Sequence, residues 1–316
     1  MSSVVKLDQI TNRPKVCIAI GNFDGVHRGH QVLLDRICER AKNLDSKAWV
    51  LTFEPHPQIL LKGCEFKLLQ TYEQKYSAIL NHQLDAVLVA NFNSTFRNQS
   101  PEAFLQNLYQ LLDIQAIQVG YDFRFGKGGI GDSTFMSQFF KNYNIEVDIT
   151  HRQEIDGVTY SSGNLRKAIL RGDIEYYHKT VGRHFQIGGK VVKGSQRGRT
   201  IGFPTANIVP PKEQISLLPG VYAVKCTYQN RILTGLANLG NAPTFQQENY
   251  QLEVYFQSFN DDLYDKILNI EFLDRIRDVK KFDGIDQLKQ QISTDLSWFD
   301  KHNLTDFRPT DCSFES

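Results

Sequence analysis

Residues 16–30 read VCIAIGNFDGVHRGH, five apolar residues followed by a turn that carries three glycines, an aspartate and two histidines. The next stretch, QVLLDRICERAKNL (31–44), spaces its apolar members as a helix does. The motif therefore stands at a strand-to-helix turn. Further β-prone runs follow at AWVLTF (48–53), AVLVANF (86–92), IQAIQVG (114–120) and IEVDI (145–149), with amphipathic segments between them. Strands alternating with helices predict a doubly wound parallel sheet covered on both faces. The helix starts agree with that period. Thr71 with Gln74 forms a capping box, Ser100-Pro101-Glu102 sets a cap before a first-turn proline, and Asp132 precedes STFMSQFFKNY.

Beyond about Arg183 the texture changes. GVYAVKCTYQNRILTGLANLG (220–240) and YQLEVYFQSFNDDLYDKILNIEF (250–272) alternate over short runs broken by glycine and a Gln-Asn turn. This predicts antiparallel strands closing into a small β-barrel. Asp283 is then expected to cap a C-terminal helix, GIDQLKQQISTDLSWF (284–299). The expected division is an α/β domain over 1–183, a β-barrel domain with its C-terminal helix over 184–303, and a tail over 304–316.

A chain of 316 residues suits two domains of roughly 100–200 residues each. With 41% hydrophobic and 22% charged residues it has the usage of a folded globular protein rather than of a disordered one. The formal net charge of +1 supplies no general field for a polyanion or a membrane surface, so nucleic acid is not an expected partner and any anion must be bound locally. Five scattered cysteines without a CxxC pair argue against a disulfide framework or a zinc site and for a reducing, cytoplasmic setting. No apolar run is long enough for a signal peptide or a membrane span. A weak homo-oligomer is left open.

The turn after the first strand is where open parallel sheets bind ligands, because the amides of the following helix point at an anion. Gly21, Gly25 and Gly29 permit close backbone approach, and Asn22, Phe23 and Asp24 complete the cradle. His27 and His30, three residues apart, can aim two hydrogen-bond donors at one group of phosphate oxygens. Two solvated histidines near a turn are the alternative. Ser161 and Ser162 precede a helical segment with Arg166, a plausible phosphate clamp or an ordinary cap. Gly126-Lys127-Gly128-Gly129-Ile130-Gly131 matches a GxGxxG dinucleotide fingerprint, but its glycines come several residues after the strand instead of in the turn itself. In the second half, GKVVKGSQRGRTIGFPTANI (189–208) combines Gly194 and Gly198, whose amides can turn around phosphate, with Thr205 and Asn207, whose neutral oxygens suit magnesium on ATP.

GNFDGVHRGH resembles the HxGH motif of nucleotidyltransferases in the GxFDGxHxGH form of bacterial FAD synthetases. TFEPHP (52–57), GYDFRFGKGGIGD (120–132) and YSSGNLRKAILRGDIE (160–175) fit in the same order. The second half resembles riboflavin kinase through GKVVKGSQRGRTIGFPTANI, LPGVYAV (218–224), GLANLGNAPTF (235–245) and DLYDKILNIEF (262–272). The resemblance implies that the chain phosphorylates riboflavin to FMN and adenylylates FMN to FAD, with ATP as co-substrate and Mg2+ as cofactor. It implies Ser162 and Arg166 on ATP phosphates, and Asp122, Phe123 and Phe125 near flavin or adenine, a core role for the two rings being equally open. It also implies Thr205 and Asn207 on magnesium-ATP, Glu253 as general base, and Arg277 in a flap over the flavin. The match departs at Gly163, where threonine is usual, at Gly129 and Ala242, where arginine is, and at Tyr255 in place of histidine. Because Gly163 and Gly129 remove a hydroxyl and a cation from its site, the adenylyl step is expected to be slower or weaker in ATP binding than is usual, and the kinase step less affected. Two other readings stay open, a flavin-binding sensor without chemistry and a nucleotidyltransferase for another phosphorylated small molecule.

Overall fold

A computed structural model describes residues 3–155, 157–194, 197–242, 249–259 and 261–302; the predicted tail over 304–316 lies outside them. The chain divides into two compact units between Ser162 and Gly163.

In the first unit β1 (Ser3–Lys6), β2 (Lys15–Ile20), β3 (Lys47–Glu54), β4 (Ala86–Asn91), β5 (Asp113–Gly120) and β6 (Glu146–Thr150) form a parallel sheet in the order β1-β4-β3-β2-β5-β6. The chain runs from β2 outward through β3 to β4 and then returns to the other side of β2. The carboxyl end of β2 is thus the topological switch point, where such sheets bind ligands. β1 is not visible in the sequence, because four mostly exposed residues carry no pattern of their own and are strands only by pairing with β4.

Both faces of the sheet are covered, which is why its strands read as continuous apolar runs. Cys17 and Ala19 pack with Leu34 and Ile37 of α1 (Arg28–Asn43) and Ile79 of α2 (Tyr72–Leu80). Val16, Ile18 and Ile20 pack on the opposite face with Phe104 and Leu108 of α3 (Pro101–Leu111) and with Met136 and Phe140 of α4 (Ser133–Lys141). Each such fully buried aliphatic or aromatic side chain contributes about 1.5–3 kcal/mol. The sequence signals for the helix starts hold: Thr71 and Gln74 make a reciprocal capping box, Ser100 caps α3 and Asp132 caps α4.

α5 (Ser162–Arg171) begins at the division of the units and α6 (Ile174–Val181) follows it. The division lies ahead of the textural change at Arg183 because α6 packs on the barrel, with the Tyr177 ring edge-on to Phe185 at 5.3 Å and His178 Nε2 3.1 Å from the carbonyl of Phe272. The barrel is closed and antiparallel: β7 (Phe185–Val192), β8 (Ala206–Val209), β9 (Gly220–Tyr228), β10 (Arg231–Ala242), β11 (Asn249–Phe256) and β12 (Ile267–Arg277) run in the order β7-β8-β11-β10-β9-β12, and β12 returns to β7. Gln229 and Asn230, both at positive φ, make the tight β9–β10 turn that right-twisted strands require. α7 (Ile285–Lys301) lays Phe299 on Ala223, Leu236 and Leu273. Its cap is Gly284 and not Asp283: the helix starts one residue later than the acidic signal, without a side-chain cap, and Asp286 supplies the first-turn negative charge.

Candidate active sites

In the first unit the β2–α1 turn begins where Gly21 donates its N–H to the Leu51 carbonyl, so the turn leaves the sheet still bonded to β3. Its backbone then passes through three positive φ values, Phe23 at 51°, Gly25 at 88° and Val26 at 40°. For the two residues with side chains this conformation costs about 1–3 kcal/mol each, so the surroundings must hold it. The Asp24 carboxylate accepts the Leu69 N–H at 3.0 Å, the Asp24 carbonyl accepts the Ser162 hydroxyl at 2.7 Å, and the Asn22 carbonyl accepts the Thr52 hydroxyl at 3.2 Å. Asp24 and Phe23 are buried. They build the turn from inside, while the side chain of Asn22 is exposed.

His27 stands at the N-cap of α1, its carbonyl accepting from the amides of His30 and Gln31. The imidazoles of His27 and His30 are stacked, with centroids 3.7 Å apart and planes 16° apart, and Phe23 supports His30 from 5.2 Å. A Cβ on Gly29 would lie 3.2 Å from the His27 ring, so the glycine gives that ring its place against the first turn of the helix. Two imidazoles side by side at a helix N-terminus, beyond the carboxyl end of the central strand, form a compact set of donors for phosphate oxygens. The bond from Ser162 brings that hydroxyl to the same turn, and Arg166 lies one helical turn further along α5.

Asp122, Phe123 and Phe125 follow β5. Phe125 is buried in the core against Phe104 and Phe135, Phe123 stacks on Phe125 at 5.7 Å, and Asp122 is exposed. The glycine run that follows sits in a small hairpin, with Arg124–Phe125 paired to Gly131–Asp132, and not at a strand-to-helix turn. This placement removes the dinucleotide-fingerprint reading. Gly129 has φ 68°, a backbone on which an arginine is strained.

In the second unit Asn207 on β8 lies directly opposite Glu253 on β11, and Glu253 lies opposite Asn238 on β10. Gln251 ties the pair together: its Nε2 donates to Asn207 Oδ1 at 2.9 Å and to Glu253 Oε1 at 2.8 Å. A Cβ on Gly194 would fall 2.3 Å from the Asn207 amide nitrogen, and one on Gly198 would fall 3.3 Å from the Thr205 hydroxyl. The fold thus gathers Gly194, Gly198, Thr205, Asn207 and Glu253 at one place. Tyr255, one position further along that face, meets Phe203 edge-on at 5.4 Å. The donor set fits magnesium: Asn207 Oδ1 takes one hydrogen bond and keeps a lone pair, and with Thr205 it offers hard, neutral oxygens, of which Mg2+ needs few. No cluster of three or more histidine, cysteine or acidic side chains offers a competing metal site among the described residues.

Arg277, at the end of β12, makes an ion pair with the C-terminal helix. Its guanidinium grips the buried Asp295 of α7, with Nε 3.0 Å and Nη2 2.7 Å from the carboxylate, which ties the end of β12 to the helix. Sequence reasoning also passed over Gln251, Thr52 and Lys75. Gln251 is legible only once Glu253 is placed on a strand, because residues two apart share a face.

Residues 9–164 match the family model described as FAD synthetase, and residues 181–302 match that described as riboflavin kinase. The bifunctional riboflavin kinase/FMN adenylyltransferase of Buchnera aphidicola is 35% identical over 291 residues, covering 90% of this chain and 93% of that protein. The protein of the same name from Listeria monocytogenes is 33% identical over 294 residues, covering 92% and 93%. A crystal structure from Streptococcus pneumoniae, titled a macrolide-efflux protein, superposes with a TM-score of 0.87 at 29% identity over 94% of this chain and 98% of that one. Among the described residues here, no helix is long and apolar enough to cross a membrane. The chain belongs to the family of bifunctional riboflavin kinases and FMN adenylyltransferases.

Proposed function

We propose that this chain makes FAD from riboflavin in two ATP-dependent steps, phosphorylation at the barrel site and adenylyl transfer at the β2–α1 turn. The observation that carries the reading is that one chain holds two separate constellations suited to phosphate chemistry, the stacked His27–His30 pair and the Asn207–Gln251–Glu253 cluster.

In the first step the ribityl 5′-hydroxyl attacks the γ-phosphorus of ATP and ADP leaves. Glu253 accepts the hydroxyl proton; a loose transition state asks mainly for positioning and a modest base, and Gln251 orients the carboxylate. Thr205 and Asn207 would hold magnesium, which would offset charge on the ATP phosphates. Gly194 and Gly198, which lie against Asn207 and Thr205, let backbone approach those phosphates. In the second step a phosphate oxygen of FMN attacks the α-phosphorus of ATP and pyrophosphate leaves. His27 and His30 donate hydrogen bonds where negative charge grows, Ser162 and Arg166 steady the phosphates, and no covalent intermediate on the protein is needed. Asp122 and Phe123 face the flavin, while Phe125 supports them from the core.

The free thiols of Cys17, Cys38 and Cys226 suit a cytoplasmic enzyme. Chromatography of the products from riboflavin, ATP and magnesium tests the proposal: FMN should appear first and FAD after it. Binding of flavin without consumption of ATP favours the sensor reading instead.

A further inference from the structure

Lys75 is a charged residue that the reaction scheme above does not use, and its surroundings are unusual. It is the fourth residue of α2, at the end of the first turn, on the face that also buries Ile79, and only 3% of it is exposed. Burying an ammonium is costly, and a helix N-terminus adds its own positive potential. An apolar side chain would satisfy packing alone.

The ammonium has a defined set of neighbours. Lys75 Nζ donates to Thr52 Oγ1 at 3.1 Å, and Thr52 Oγ1 in turn donates to the carbonyl of Asn22. The rings of Tyr72 and Tyr76 lie 5.1 and 5.4 Å away on its own helix. Two carboxylates attract it, Asp24 in the β2–α1 turn and Glu54 on β3, the latter also accepting the Tyr76 hydroxyl. The chain of contacts therefore runs from a buried cation, through one hydroxyl, into the first residues of the turn that presents His27 and His30. That turn carries positive φ at Phe23 and Val26 and persists only because its environment holds it.

We infer that Lys75 is a positioning residue for adenylyl transfer: its ammonium, acting through Thr52 and toward Asp24, holds the 22–27 turn in the form that aims the two imidazoles at the nucleotide. The inference rests on the function proposed for that turn. Burial lowers the Lys75 ammonium to about 8, against the attraction of Asp24 and Glu54, so the ammonium prevails at neutral pH and is lost in mild alkali. Its loss removes the charge that attracts Asp24 and leaves only a weaker, neutral amine donor to Thr52. Because the folded-state value lies below the ordinary 10.5 of lysine, this same group makes folding more favourable as pH rises from about 8 toward 10.5. Activity and stability thus move in opposite directions in one pH window, which a merely structural lysine does not produce.

The test uses the full chain and compares wild type, Lys75→Met and Thr52→Val, with riboflavin phosphorylation as internal control. FAD formation from FMN should fall in wild type above about pH 8 while the folded fraction holds. Lys75→Met should lower its kcat about ten-fold, with smaller changes in KM, and should remove the alkaline limb. Thr52→Val, which keeps the charge and cuts the link, should lower kcat in the same direction even if Lys75→Met misfolds. The kinase rate should be unaffected in both variants. Wild-type FAD formation and an unaltered alkaline limb in either folded variant overturn the role of Lys75. Absence of FAD formation by wild type itself overturns the function on which it rests.

Discussion

The turn that carries His27 and the ladder that carries Glu253 differ in what keeps their side chains in place. In the barrel, Asn207 and Glu253 are directly opposed partners on neighbouring strands, and Gln251 lies two residues from Glu253 on the same face. Register sets all three at once. In the first unit no ladder reaches the turn beyond Gly21. Its shape depends on Leu69, Thr52 and Ser162, each from a different part of the chain, and behind Thr52 on the buried Lys75. A site built on register fails when strands slip, whereas a site built on scattered clamps fails one contact at a time.

The sharpest way to break this comparison is to remove one reacting group from each site. Glu253→Gln should lower riboflavin phosphorylation about 10²–10⁴-fold, as loss of a general base does. FAD formation from supplied FMN should not change, and chromatography reads both; equal losses mean that the two sites are not chemically separate. His27→Ala should lower FAD formation about 10²–10³-fold, the range for losing one donor to developing charge. FMN should then accumulate from riboflavin.

A third test concerns stability and is confined to the barrel unit. His178 Nε2 lies 2.8 Å from His184 Nδ1 beneath the barrel, and burial holds the two imidazoles down to about 4 and about 3. Both values lie below the ordinary 6.5, so the unfolded chain binds more protons between them and stability falls as pH drops from about 6.5 toward 4. Thermal unfolding followed with pH should show the barrel weakening in that window, and His184→Phe should blunt the effect. The smallest expected change comes from Gly163→Thr, at an exposed position in the first turn of α5. A restored hydroxyl hydrogen bond is worth about 0.5–1.5 kcal/mol, so FAD formation should rise about two- to ten-fold if the missing group limits that step. No rise assigns the departure at Gly163 to drift without consequence.

Much of the site was legible because it is local. GNFDGVHRGH announces a strand, a turn and two donors three residues apart, and the capping signals at Thr71, Ser100 and Asp132 act within one turn of backbone. Phe125 shows where local reading stops: the same motif allows a flavin contact or a core ring, and only tertiary packing shows the ring in the core against Phe104 and Phe135. Arg277 shows it again, since nothing near it in sequence announces Asp295, eighteen residues later and buried beneath it.

By itself, then, the order of residues determined the two kinds of sheet, most helix starts, the strand-to-helix turn at His27 and the polar run around Thr205. These depend on side-chain period and on contacts between near neighbours, which a linear text contains. Tertiary structure alone decided that β1 is a strand, that Gln251 bridges Asn207 and Glu253, and that a buried lysine stands behind the histidine turn. Those outcomes depend on which distant surfaces meet and exclude water, and the free energy of such meetings belongs to pairs of segments and to neither segment alone.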